Sequence, residues 1–386
     1  MGKRGIFGLL VALILCSTPV LADQNVANTS QKGSLLIFPL IDTRVVSPDE
    51  SATTIIDISN DANNGIYLGC YYINDHKGRV DFHFFLTPKA TVSWDVVTHH
   101  GNIVPPPFPS GGPFAQGDAA LGELICFATN AARSQQVRFN HLTGVATVVQ
   151  QEVEAGVNQP KHAFKYNAWA FTARSNPGVP PPPDGTPVGT AGRLDLTGGG
   201  LGTYDACPQY LIANFSPGGL NLAGAANVLG PVTYIDNDFS ISSCNQDLRQ
   251  DFVDNLTKLQ FTVWNEVEVG FTGAYQCADS VLTFGVDDGD RVPVNFDLDN
   301  FSYSTLQTHN ARVEIDGVSS TQCPGSSVSG LVGVMTTSIG IGTTVDQPIE
   351  GEDQELGNTI HGAGNLPGFV LWDPASGTVP EKPGRR

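Results

Sequence analysis

Charge is scarce in this sequence. Only 15% of its 386 residues are Asp, Glu, Lys or Arg, and basic residues are outnumbered 20 to 38. A chain so poor in cations lacks the basic face that nucleic acid or an anionic lipid surface needs, so neither is expected as a partner. Long apolar runs are missing as well. Ile6 to Cys16 falls well short of the roughly 20 residues that cross a bilayer as a helix, and no later stretch comes near that length. No cysteines are spaced C-x-x-C, with or without a following His, which argues against zinc ribbons, thioredoxin-like redox motifs and c-type haem attachment. H-E-x-x-H is absent. The nearest approach to a Gly-x-Ser-x-Gly nucleophile elbow, Gly325-Ser326-Ser327-Val328-Ser329, fails at its last position.

What is present begins with a leader. Lys3 and Arg4, the apolar stretch Ile6 to Cys16, and Pro19-Val20-Leu21-Ala22 before Asp23 follow the three-part plan of a secretory signal, with cleavage after Ala22 and residues 1–22 removed. Lipidation at Cys16 is not expected, because Leu15 stands where a small residue is usual. Beyond residue 22, 18 basic residues face 38 acidic ones. Cys70, Cys126, Cys207, Cys244, Cys277 and Cys323 remain, an even set in a compartment where disulfides persist, so three structural bridges are expected. The chain is exported, to the periplasm, cell surface or extracellular space, and carries no transmembrane segment in this reading.

Helical periodicity is nearly absent, and short alternating runs rich in Val, Ile, Thr, Phe and Tyr point to an all-β chain. Strands are expected over 34–41, 53–59, 66–73, 79–87, 91–97, 123–129, 145–151 and 165–173, with turn chemistry such as Asn60-Asp61-Ala62-Asn63-Asn64-Gly65 between them. Asn245 to Leu256 is the exception, where Leu248, Phe252 and Leu256 at four-residue steps suit a short helix. From Asn176 proline becomes dense, which favours extended geometry over sheet pairing. The expected organisation is a first antiparallel β-sandwich over 30–175, a Pro/Gly-rich linker over 176–199, a second over 200–376 and a tail over 377–386. Both sandwiches are read as immunoglobulin-like.

The halves echo one another. Leu35-Leu36-Ile37-Phe38 has a counterpart in Tyr210 to Phe215, the alternation from Thr54 to Cys70 in Thr257 to Cys277, Gly144-Val145 in Gly333-Val334, and Trp169 in Trp372. With Cys126 echoed by Cys323, five such echoes in one order suggest a tandem duplication. Cys70 and Cys126 would then match Cys277 and Cys323, giving bridges Cys70–Cys126 and Cys277–Cys323 and leaving Cys207–Cys244 as the third. The strings Tyr204-Asp205-Ala206-Cys207-Pro208, Cys244 to Phe252 and Phe271 to Ser280 resemble those of a group of uncharacterised exported bacterial proteins. That resemblance implies export and bacterial origin, and carries no catalytic residue across.

Candidates for chemistry are few. Asp287, Asp288 and Asp290 crowd a glycine and form a calcium candidate, against the plainer reading of an Asp-Gly turn. Glu266 and Glu268 would project from one strand face about 7 Å apart, near a glycosidase spacing, but their context fits a solvated hairpin better. The eight histidines are scattered, with His99-His100 the only adjacent pair, and are read as surface residues. Trp94, Trp169, Trp264 and Trp372 could stack sugars if they faced outward, though a sandwich core needs large inward residues.

The function expected is therefore that of an exported non-enzymatic structural, adhesive or binding protein, with polysaccharide or other surface proteins as partners and no cofactor beyond the calcium candidate. The alternative is an exported hydrolase acting on polysaccharide through loop carboxylates. Intact mass of the secreted protein should place its N-terminus at Asp23. A chain that keeps Met1, or one carrying a lipid on Cys16, would contradict the leader reading.

Overall fold

The computed structural model of the chain describes residues 26–48, 50–111, 120–154, 157–215, 217, 232–244, 248, 256–279, 281–285, 303–308, 310–344, 347–348, 354–358 and 361–362. They form an all-β sandwich fold with antiparallel ladders and one helical turn, Tyr303–Leu306. The first half contains β1 (Leu35–Asp42), β2 (Val45–Ser47), β3 (Glu50–Asn60), β4 (Ile66–Asn74), β5 (Arg79–Leu86) and β6 (Thr91–Asp95). It continues with β7 (Leu121–Thr129), β8 (Gln135–Val137), β9 (Leu142–Glu154), β10 (Val157–Asn167), β11 (Trp169–Phe171) and β12 (Pro187–Thr190). The second half contains β13 (Tyr210–Phe215), β14 (Val232–Ser243), β15 (Leu256–Asn265), β16 (Gly270–Asp279), β17 (Val281–Gly285), β18 (Ala311–Val318), β19 (Leu331–Thr344), β20 (Gln347–Pro348), β21 (Gln354–Asn358) and β22 (His361–Gly362).

Sheet one runs β11-β1-β7-β4-β5, with β8 on β7 and β12 on β8; sheet two runs β10-β9-β3-β2, with β6 also on β3. Sheet three runs β16-β15-β18-β13-β22, and sheet four runs β17-β14-β19, with β20 and β21 on β19. β3 shows why sheet two is an outer layer. Its Ile56 and Ile58 are buried while Asp57 and Ser59 between them are half-exposed, the alternation of a strand with one wet face.

β1 and β7 do not alternate. Leu36, Phe38, Leu124 and Cys126 point into the first sandwich core with Ile56, Trp94 and Val148, whereas Leu35, Ile37, Ile125 and Phe127 point the other way. That second set joins Trp169 and Phe171 in one cluster with Phe239, Ile241 and Val332 of sheet four and Leu259, Phe261 and Ile315 of sheet three. β1 contacts β14 and β19, and β7 contacts β17, so sheet one is packed against sheet four. Hydrogen bonds among the described residues cross this junction: Trp169 Nε1 donates to the Gly333 carbonyl at 2.9 Å, and Ser240 Oγ to the Pro39 carbonyl at 2.6 Å. Lys77, in the turn between β4 and β5, adds an ion pair to Asp279 at 2.6 Å. Strands covered on both faces need continuous apolar runs, and Leu35-Leu36-Ile37-Phe38 and Leu124-Ile125-Cys126-Phe127-Ala128 supply them.

Among the described residues nine strands of each half share one order, while β2, β8, β12 and β20 have no counterpart. Replacing β11-β1-β7-β4-β5 by β22-β13-β18-β15-β16 reproduces sheet three, and replacing β10-β9-β3-β6 by β21-β19-β14-β17 reproduces sheet four. The segment 35–38 and Tyr210 to Phe215 then fall on corresponding strands, as do Gly144 and Gly333. The echo between β3 and residues 257–261 does not hold, because β3 corresponds to β14 and β15 to β4. Cys70, on the inner strand β4, consequently has no positional match in Cys277, which lies on the edge strand β16. The helix expected over Asn245 to Leu256 falls almost wholly outside the described residues, as does Trp372.

Part of the Pro/Gly-rich stretch 176–199 is a sheet edge. β12 opens with Pro187, a position where a strand loses no internal donor, and pairs with β8. Gln136 Nε2 then donates to the Thr190 and Arg193 carbonyls, each at 2.8 Å. The packing predicts a sharp contrast. Phe127→Ala, which empties a fully buried site between the sheets, should cost about 3–5 kcal/mol in denaturant unfolding, whereas Phe85→Ala, at a residue 47% exposed on β5, should cost about 1 kcal/mol or less.

Candidate functional site

An open cleft of about 360 Å³ lies between the extended segment 193–197, Ala206 and Cys207 ahead of β13, Cys244 just after β14, and residues 328–330 ahead of β19. Each wall is held by identifiable bonds. The Gly192 and Asp195 carbonyls accept from Leu248 N at 2.7 Å and Tyr204 N at 2.8 Å, while Leu194 and Leu196 pack down on the core. Asp205, next to the cleft wall, is 1% exposed. It accepts from Thr172 N at 2.8 Å, Thr172 Oγ1 at 2.6 Å, Gln31 Nε2 at 3.0 Å and Arg174 Nη1 at 3.2 Å. Burial pushes the Asp205 carboxyl up from its ordinary value, and those bonds with the Arg174 charge pull against it. On the far wall, Cys244 N is shared between Ser329 Oγ at 3.1 Å and the Gly330 carbonyl at 3.0 Å. A Cβ on Gly330 would stand 2.4 Å from Cys207 Cβ, so only glycine lets the backbone pass this close to the disulfide.

The Cys207–Cys244 bridge therefore forms part of the cleft surface. Arg193 and Asp195 are its charged groups, the latter engaged by Thr197 N at 3.2 Å and Thr197 Oγ1 at 2.6 Å. Val328, 55% exposed, contributes an apolar lip. No histidine and no second carboxylate stands among the described lining residues. The arrangement offers a cation, hydroxyls and apolar surface to a ligand.

The disulfides differ in place. Cys70 and Cys126 sit directly opposite one another on β4 and β7, both wholly buried in the first core. Cys277–Cys323 ties the edge strand β16 to the turn after β18. Loops of 56, 37 and 46 residues are closed, each worth about 4 kcal/mol in the chain-entropy account.

The other candidates are dispersed. Glu266 and Glu268 are exposed in the hairpin connection between β15 and β16, where Asn265 Oδ1 accepts from Val267 N and Val269 N. His99 and His100 lie in the turn after β6 rather than on a strand, and His99 takes a positive φ of 59°. Trp94 and Trp169 are core residues, and Trp264 is half-buried beneath the Arg312 guanidinium at 5.3 Å. Asp287, Asp288 and Asp290 lie outside the described residues. Among the described residues no group of three or more His, Cys, Asp or Glu is placed to hold a metal ion, and no helix is long and apolar enough to cross a membrane. The cleft itself carried no sequence signal beyond Cys207 and Cys244, because its walls meet from segments more than a hundred residues apart.

No protein-family model and no curated protein matches the chain. Among solved structures it is similar to a "putative secreted protein" from Parabacteroides distasonis ATCC 8503, at 8% identity and a TM-score of 0.15, over 80% of this chain and 91% of that one. A TM-score of that size shows no common fold.

Accessibility sets an order of reactivity for the three bridges. Under native conditions a small dithiol should reduce Cys207–Cys244 and Cys277–Cys323 first and leave Cys70–Cys126 intact, read by differential alkylation and peptide mapping. Alkylation of Cys70 ahead of Cys277 would contradict the burial described above.

Proposed function

We propose that this protein is an exported, non-enzymatic binding or structural module, acting at the cell surface or outside the cell on polysaccharide or on other surface proteins. One observation carries the reading: the central strands of sheet one are buried on both faces, so the cleft and the loops of both halves belong to one packed framework able to present a fixed surface. Rigid sandwiches that display loops are well suited to recognition. Export is supported by the three-part leader and by the three disulfides. We further read 30–175 and 200–376 as related sandwiches that arose by duplication, on the strength of their common strand order, within a group of exported bacterial proteins.

The test is a screen of the mature protein against polysaccharides and surface-protein extracts, with hydrolysis measured in parallel. Binding without release of reducing ends is the expected result. Turnover of a glycan that disappears in Glu266→Gln or Glu268→Gln would contradict it and establish a hydrolase instead.

A further inference from the structure

His141, between β8 and β9, is held by two carboxylates at once. Its Nδ1 lies 3.1 Å from Asp61 Oδ1 and its Nε2 lies 3.1 Å from Asp184 Oδ2, one acid from the turn after β3 and the other from the Pro-rich stretch. A neutral imidazole has one N–H and one lone pair, so it can donate to only one of these acceptors and must turn a lone pair on the other. The imidazolium has two N–H groups and satisfies both. Charged groups surround it: Lys32 binds Asp61 Oδ2, Lys89 binds the Asp61 backbone carbonyl, and Arg138 acts on Asp184 from the segment ahead of His141. Phe139 closes one side, with ring centroids 5.2 Å apart in an edge arrangement.

Asp184 ends the run Pro180-Pro181-Pro182-Pro183, whose flanking residues Gly178, Val179 and Gly185 are exposed. Gly185 N and the Thr186 carbonyl are paired with the Arg138 backbone at 2.9 and 2.8 Å, so the stretch is docked at its C-terminal end. Its approach to that dock runs through Asp184. We propose that Asp61, His141 and Asp184 form a proton-dependent latch, which fastens the Pro-rich stretch to the first sandwich when His141 is charged and loosens it when His141 is neutral. The sign follows from the bonding. The latch is closed when the ring carries both N–H groups and is lost when it gives one of them up. The Lys32 hydrogen bond holds the Asp61 carboxyl below its usual value, so that arm stays anionic well into the acid range and is lost only as pH falls through the depressed value.

The experiment is NMR of the full mature protein with labelled histidine, together with hydrogen exchange of Gly178, Val179, Asp184 and Gly185 at pH 5.5 and pH 8, corrected for intrinsic rates. The pair is partly exposed, so the expected effect is modest: exchange roughly two- to fivefold slower at pH 5.5, with both His141 ring nitrogens protonated there. His141→Gln should abolish the difference, and so should Asp184→Asn, a change at an exposed loop position that serves if the first variant folds poorly. A neutral His141 ring at pH 5.5, no pH dependence in the wild type, or the same dependence in both variants would overturn the latch.

Discussion

Sheet one has no solvent face across its central strands, and most of the architecture follows from that. β1 and β7 must be apolar on both sides, since one side meets sheet two and the other meets sheet four. Fully burying each Leu, Ile or Phe is worth roughly 1.5–3 kcal/mol, so the second face of sheet one represents a large stabilisation that neither half could realise alone. The side chains that sheet four offers in return include small polar ones. Ser240 is buried there, and its Oγ is satisfied by the Pro39 carbonyl and Thr283 Oγ1 where the two backbones approach.

This junction also fixes the cleft. The Asp205 knot ties Gln31, Thr172 and Arg174 to the chain leading into Cys207, so the cleft wall in the second half is anchored to residues of the first. Val26 pairs with Ala206 and Asn28 with Ala170, placing the start of the described chain in the same seam. The cleft is thus lined by the 193–197 stretch and by the second half, and the first half holds one of its walls in place through Asp205.

How much of this was legible beforehand depends on the kind of signal. Alternation in β3 and the turn string 60–65 mark strands and connections locally, so the all-β class and most strand positions follow from composition and period. The unbroken runs at 35–38 and 124–128 carried the information that sheet one is covered twice, but a short apolar run does not say what covers it. The echo placed on Cys70 and Cys277 failed for a related reason: β-strands reuse the same vocabulary, and only hydrogen-bonded order distinguishes an inner strand from an edge. The partners of His141 were illegible, because Asp61 and Asp184 are 80 and 43 residues away and nothing in periodicity links them.

The central claim is that the two halves share one core. Native-state hydrogen exchange tests it most directly, by comparing the opening free energies of Leu124 to Phe127 on β7 with those of Val332 to Met335 on β19. One shared core predicts that both sets open together, with the same free energy and the same denaturant dependence. Two separate plateaus, with one half exchanging through its own unfolding while the other stays protected, would contradict it.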